Sequence, residues 1–293
     1  MSQLYGAQHR ALQDDFDMQP LADRVAEFIV HPAIQPEHRA FIESRDFFFL
    51  TTIDHRGYPT VSHKGGAPGF VRVIDDSTLA FPSFDGNGMF LSMGNITANP
   101  KIGLLFIDFE TPHRVRVHGE ATVSRDDPLL EGSSLAFHGA EFVVRVKLAE
   151  IFINCPRYIH RYRRVEDAKH VPQPGCPTPP AQWKRIDGLQ DVLPERDRHI
   201  ADELGVLSPD AYAERVQRGR TCPGGAAAAA LSARHRMQPV RAAGAGARPP
   251  KETADETPRR TGLRQRDAGG RDDFLDAVRT AADVAHGDRM GRL

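Results

Sequence analysis

The chain has 293 residues with 38 Lys+Arg against 39 Asp+Glu, a formal net charge of -1, so no global bias points to nucleic acid or to a membrane surface. Three cysteines, Cys155, Cys176 and Cys222, lie far apart with no C-x-x-C pair, which disfavours a disulfide framework or a cysteine-rich zinc site and fits a reducing cytoplasm. The N-terminus, MSQLYGAQHRALQDD, is acidic where a signal peptide needs a basic start and an apolar core, and no apolar run reaches about 18 residues, so neither export nor membrane spanning is expected.

In chain order, Leu21–Val30 and Pro36–Ser44 show helical spacing, the second with Pro36 at a helix start. Phe47–Ile53 (FFFLTTI) reads as a buried strand entering the turn Asp54-His55-Arg56-Gly57, with Thr60–Lys64 returning as its partner. Phe70–Ile74 and Thr78–Phe81 flank Asp75-Asp76-Ser77 as a hairpin, and Asn99-Pro100 stops a helical Met89–Ala98 before the apolar strand Ile102–Ile107. From Arg114 to Val123 the alternation is clear: Val115, Val117, Gly119, Ala121 and Val123 share one face and Arg114, Arg116, His118, Glu120 and Thr122 the other. Phe142, Val144, Val146 and Leu148 alternate likewise with Arg145 and Lys147, and Leu193–Val216 reads as two short helices. Six or seven strands with helices at the ends predict a mainly β, closed or partly closed antiparallel barrel.

After Gly219 the texture changes to GGAAAAALSARHRMQPVRAAGAGARPP, and Phe274 is the only aromatic beyond that point. From Arg220 onward about 14 Lys+Arg face about 9 Asp+Glu, a composition that buries too little apolar surface to offset chain entropy. The expectation is a disordered tail over 218–293, with a short helix at Asp272–Ala285. A nucleic-acid role for its arginines lacks the interleaved aromatics that stack on bases. The same composition is what GC-rich DNA encodes in another frame, a hypothesis that the nucleotide sequence downstream of codon 218 tests. The remaining boundaries are an N-terminal helical segment over 1–40, a barrel domain over 41–160 and a helical extension of it over 161–217.

No H-E-x-x-H, G-x-S-x-G, Walker A loop or G-x-G-x-x-G occurs, so common hydrolase, P-loop and dinucleotide readings lose their support. His113 and His118 are five apart on one strand and project to opposite faces, poor geometry for a metal. The informative stretch runs from Thr60 to Pro100. A phosphate needs cationic side chains and free backbone N–H groups, and Lys64, Gly65-Gly66, Ser83 and Gly86-Asn87-Gly88 at the front of a helix can supply both, although the same glycines also serve simply as turns.

A strand ending in a basic residue, a hairpin into Phe81-Pro82-Ser83, a short helix closing on Asn95-Ile96-Thr97-Ala98-Asn99-Pro100, then Gly103–Phe106 and an Arg116-Val117-His118-Gly119 strand together resemble the pyridoxamine 5'-phosphate oxidase-like family, from about Phe41 to Trp183. The resemblance implies a split β-barrel homodimer binding FMN at the subunit interface. It makes Ser62, Lys64 and Arg72 the basic strand positions near the flavin phosphate and ribityl chain, Pro82 and Ser83 the segment beside the isoalloxazine edge, and Asn87, Gly88 and Met89 the phosphate turn. In the oxidase proper that turn carries a Ser-Arg-Lys-like run, so here two positive charges are missing and the phosphate leans on Lys64, Arg72 and backbone N–H groups. Trp183 occupies a late position from which relatives reach the partner's flavin, and packing explains it equally well.

The implied activity is an FMN-dependent oxidoreductase acting on a small molecule, with no residue marked as catalytic acid or base, no metal, no nucleic acid and no membrane partner. The alternatives are a flavin-binding or flavin-shuttling protein without turnover, and a reductase using a deazaflavin in place of FMN.

Overall fold

The computed structural model describes residues 4–130, 137–173, 176 and 178–218, all within the unit Met1–Arg234. The tail read as disordered, and the helix expected inside it, lie outside the described residues from 219 onward.

Two helices lead in: α1 (Ala7–Asp15), which buries no side chain, and α2 (Gln19–Ile29), which runs directly into the two-residue strand β1 (Val30–His31). Helix α3 (Pro36–Glu43) starts on Pro36, whose missing N–H and fixed φ suit the first turn. Just before it, the Gln35 N–H donates to His38 Nδ1 at 3.2 Å. The sheet strands are β2 (Phe47–Ile53), β3 (Pro59–Gly65), β4 (Arg72–Asp75), β5 (Thr78–Phe84), β6 (Lys101–Asp108), β7 (His113–Ser124) and β8 (Ala140–Asn154), with α4 (Leu91–Ala98) between β5 and β6. They pair antiparallel in the order β3-β2-β6-β7-β8-β5-β4, and β1 adds to β8. The ladder does not close on itself, because β3 and β4 each end it, so this is a split barrel.

One face of the rolled sheet makes the core. On β2, Phe48, Leu50 and Thr52 are buried, and Phe48 packs edge-on to Phe81 (centroids 4.9 Å apart) and against Phe106 (5.2 Å). On β7, Val115, Val117 and Ala121 point the same way, as the alternation predicts. Emptying one of these Phe positions to Ala would cost about 3–5 kcal/mol.

Two features depart from simple alternation. Val143 on β8 is buried on the opposite face, where Phe137, Leu129 and Leu130 cover it and Ala80. At Gly119 the β7–β8 register slips, with His118 opposite Glu150 and Gly119 opposite Leu148, so that Ala149 bulges out. A Cβ added at Gly119 would meet the Lys147 carbonyl oxygen at 2.4 Å, so only glycine admits this close approach of two strands.

After β8 the chain forms two 3-10 turns (Gln182–Arg185 and Asp187–Leu189), then α5 (Glu195–Leu204) and α6 (Pro209–Gln217). Among the described residues no helix is long and apolar enough to cross a membrane.

Candidate anion and cofactor site

Strand β5 leaves the sheet through a register shift between Ser83 and Phe84 and enters the exposed turn Asp85-Gly86-Asn87-Gly88-Met89-Phe90. Gly88 adopts a positive φ of 76°, which glycine takes without strain, and Phe90 follows at φ 47° before α4 begins. Asn87 folds the turn onto itself, accepting the Met89 N–H on Oδ1 at 3.2 Å. Helix α4 has no side-chain cap at its N-terminus. Among the described residues nothing accepts the backbone N–H of Gly86, of Gly88 or of the first three helical residues, Leu91, Ser92 and Met93.

Side-chain hydrogen bonds fix where this helix end lies. Asn95 Nδ2 donates to Thr52 Oγ1 (3.0 Å) and Thr60 Oγ1 (3.1 Å), and Ser92 Oγ sits 3.0 Å from Ser62 Oγ. Moving from Thr60 to Ser62 along β3 thus means moving back from Asn95 to Ser92 along α4, so helix and strand run antiparallel. The next residue on that face of β3 is Lys64, about 6.6 Å further along, where the helix has already run out towards its first turn. Lys64 lies opposite Phe48 in the β2–β3 ladder and is half-buried. Burial pushes its pKa below the ordinary lysine range, and its ammonium has no partner among the described residues. A desolvated lysine and the positive end of a helix would repel each other unless an anion lies between them.

The eight residues singled out in the sequence fall into three groups. Ser62, Lys64 and Ser83 face the core side of the sheet, since Ser62 pairs with Leu50, Lys64 with Phe48, and Ser83 continues the row of Leu79 and Phe81. Asn87, Gly88 and Met89 form the exposed turn. Arg72 and Pro82 face the other side, because Arg72 pairs with Ala80, which belongs to the second cluster. The structure therefore does not bring Arg72 and Lys64 together on one face. Arg72 stacks its guanidinium 4.4 Å from the Phe137 ring centroid, and its Nη1 is buried without a hydrogen-bond partner among the described residues. Burial lowers its pKa, against a smaller opposing attraction from Glu43.

Gly65 and Gly66 serve packing. Gly65 is held in the ladder opposite Phe47, the Gly66 N–H donates to the Asp46 carbonyl at 2.9 Å, and a Cβ on Gly66 would sit 2.4 Å from the Phe70 ring. The Gly66 N–H is therefore not left to cradle a phosphate. Trp183 is half-buried, its ring centroid 5.7 Å from Lys184 Nζ.

Two features carried no sequence signal. Arg114 and Asn154 are cross-strand partners on β7 and β8, and Arg114 Nε and Asn154 Oδ1 are both buried without hydrogen-bond partners among the described residues. Asp85, at the mouth of the turn, receives an ion pair from the buried Lys184 at 2.5 Å. Residue type alone does not mark such partners when 99 positions separate them.

Residues 34–151 match the family described as pyridoxamine 5'-phosphate oxidase. Among solved structures, a Lactobacillus delbrueckii protein described as a pyridoxamine 5'-phosphate oxidase is 26% identical, with 42% of this chain and 95% of that chain aligned at a TM-score of 0.33. HupZ from Group A Streptococcus is 22% identical over 41% and 93% of the two chains (TM-score 0.32), and an FMN-binding protein from Syntrophomonas wolfei is 12% identical over 49% and 97% (TM-score 0.33). A comparison with proteins of curated function finds no match. Over residues 34–151, the chain is similar to the pyridoxamine 5'-phosphate oxidase family.

Proposed function

We propose that this protein binds FMN and works as an FMN-dependent oxidoreductase on a small molecule, as a homodimer in the cytoplasm. What supports the reading is a desolvated Lys64, without a partner among the described residues, on the same face of β3 as Ser62, whose hydroxyl meets Ser92 in the uncapped first turn of α4, just after the open Gly86–Gly88 turn. Together they supply one full positive charge and a row of backbone donors, which suits a phosphate monoester. FMN carries one, and when bound it supplies hydride or electron transfer at its ring.

In this reading Lys64 and the first-turn N–H groups of α4 hold the phosphate, with Ser62 and Ser92 fixing the helix against β3. Asn87 keeps the turn folded so that the Gly88 N–H stays outward. Pro82 and Ser83, on opposite faces at the end of β5, border the region where the strand hands over to the turn. Arg72, stacked on Phe137, offers a second unsatisfied donor on the far side of that strand. The protein's work is then binding and orientation rather than proton transfer.

The visible spectrum of the purified full chain tests the proposal. Oxidised-flavin bands, or their appearance with saturable quenching on adding FMN, are expected, and both should weaken in Lys64→Ala. A colourless protein that leaves FMN fluorescence unchanged would overturn it. If FMN binds, reduction by NADH or NADPH under air with a panel of acceptors separates turnover from simple flavin carriage.

A further inference from the structure

We propose that the C-terminal extension positions the ligand turn by clamping Asp85. Lys184, on the first 3-10 turn, is 4% exposed, and its ammonium lies 2.5 Å from Asp85 Oδ2 and 2.9 Å from Asp197 Oδ2. Arg196, on α5, places Nη2 3.2 Å from Asp85 Oδ1 and Nη1 2.7 Å from Glu141 Oε1 at the start of β8. Each Asp85 carboxylate oxygen therefore carries its own cation, and both cations come from a segment about a hundred residues further along the chain.

The location gives the clamp its function. Asp85 directly precedes Gly86, and neither Gly86 nor Gly88 has any neighbour within 4 Å of an added Cβ. A turn with two such glycines samples many conformations unless its ends are held. Its far end is held by the Phe90 ring against Phe142 (centroids 5.9 Å) and by the Gly94 N–H bonding the Phe90 carbonyl at 2.7 Å. At its near end, the side-chain anchors on Asp85 are Lys184 and Arg196. The extension is braced internally: Arg185 Nε donates to the Gly205 carbonyl at 2.7 Å and Arg185 Nη1 to Gln182 Oε1 at 2.6 Å.

The inference rests on the proposed FMN site for its functional meaning, and its test separates the two. Hydrogen exchange of the ligand-free protein is compared for the parent, Asp85→Ala and Asp85→Glu, followed by FMN titration. The hydrogen-bonded amides of Met89 and Gly94 should exchange about tenfold faster in Asp85→Ala, as expected when two ion pairs, one of them to a buried lysine, are lost together. FMN should bind about tenfold more weakly, with partial rescue in Asp85→Glu. The sign is diagnostic: if Asp85 were only a negative charge near an anion site, its removal would tighten FMN binding.

Unchanged exchange at Met89 and Gly94, or tighter FMN binding, would overturn the clamp. A parent that binds no FMN would overturn the proposed function while the exchange comparison still decides the clamp. Should Asp85→Ala fail to fold, Arg196→Gln removes only the solvent-exposed arm and should give a smaller effect of the same sign.

Discussion

Replacing Lys64 with Met keeps most of the side chain's length and its contact with the core side of β3 while deleting the charge. In the complex, the loss is one charge-assisted hydrogen bond to phosphate, about 1.5–3 kcal/mol, so the FMN dissociation constant should rise about tenfold to a hundredfold. In the ligand-free protein the sign reverses, because the half-buried ammonium has no partner and burial already disfavours its charged form. Relieving it should stabilise the fold by about 0.5–1 kcal/mol after allowance for partial solvent screening, roughly 1–4 °C in melting temperature for a domain of this size. The two effects are read by FMN fluorescence titration and by calorimetry of the stripped protein, with salt as a control: parent binding should weaken with ionic strength more steeply than that of the variant. If Lys64→Met binds FMN as tightly as the parent, Lys64 does not meet the phosphate and the site assignment fails.

Other expectations follow from the same structure. His38 is buried, and its pKa is held down to about 4, first by burial and then by the neighbouring His31 and His113, with Glu37 opposing. The unfolded chain takes up this proton from about pH 6.5 downward and the folded protein only near pH 4, so His38 withdraws up to about 3 kcal/mol of stability across that window. Denaturant titrations of the parent and His38→Gln should converge as pH falls from 6.5 to 4; parallel pH profiles would contradict the assignment. Gly119→Ala drives a methyl into the Lys147 carbonyl and should cost more than about 2 kcal/mol by urea unfolding, whereas Gly86→Ala, which meets open space, should cost less than about 0.5. Asn95→Ala leaves the Thr52 and Thr60 hydroxyls without their shared donor and should cost about 1–3 kcal/mol, while also weakening FMN if α4 sets the anion site.

Much of the barrel is legible in the sequence because local patterning and tertiary burial agree there. The Val115–Val123 alternation, the FFFLTTI run and Pro36 at a helix start each report a choice that the fold keeps. Helix α1 left no apolar stripe to read, since none of its side chains is buried. Val143 was unreadable for another reason: it belongs to the outward row with Arg145 and Lys147, and only the segment bearing Leu129, Leu130 and Phe137 makes that row an interior.

The candidate site was legible as a list of residues but not as an arrangement. Which faces Lys64 and Arg72 occupy depends on pairing with Phe48 and Ala80, and pairing is a property of register rather than of either residue. The Gly65-Gly66 pair shows the reverse problem. It has the composition of an anion cradle, yet at Gly66 both the donor and the missing side chain are used by packing.

The polar seam between α4 and β3 constrains how this site can change over evolutionary time. Hydroxyl and amide groups at Thr52, Thr60, Ser62, Ser92 and Asn95 meet only in one alignment, whereas an oily interface would tolerate sliding by a turn. Insertions in the exposed Gly86–Met89 turn can therefore lengthen or reshape the mouth while the helix stays put, and a single-residue deletion inside Ser92–Asn95 would rotate the whole row out of reach. Variation in what the protein accepts should accordingly gather in the turn and leave the seam unchanged.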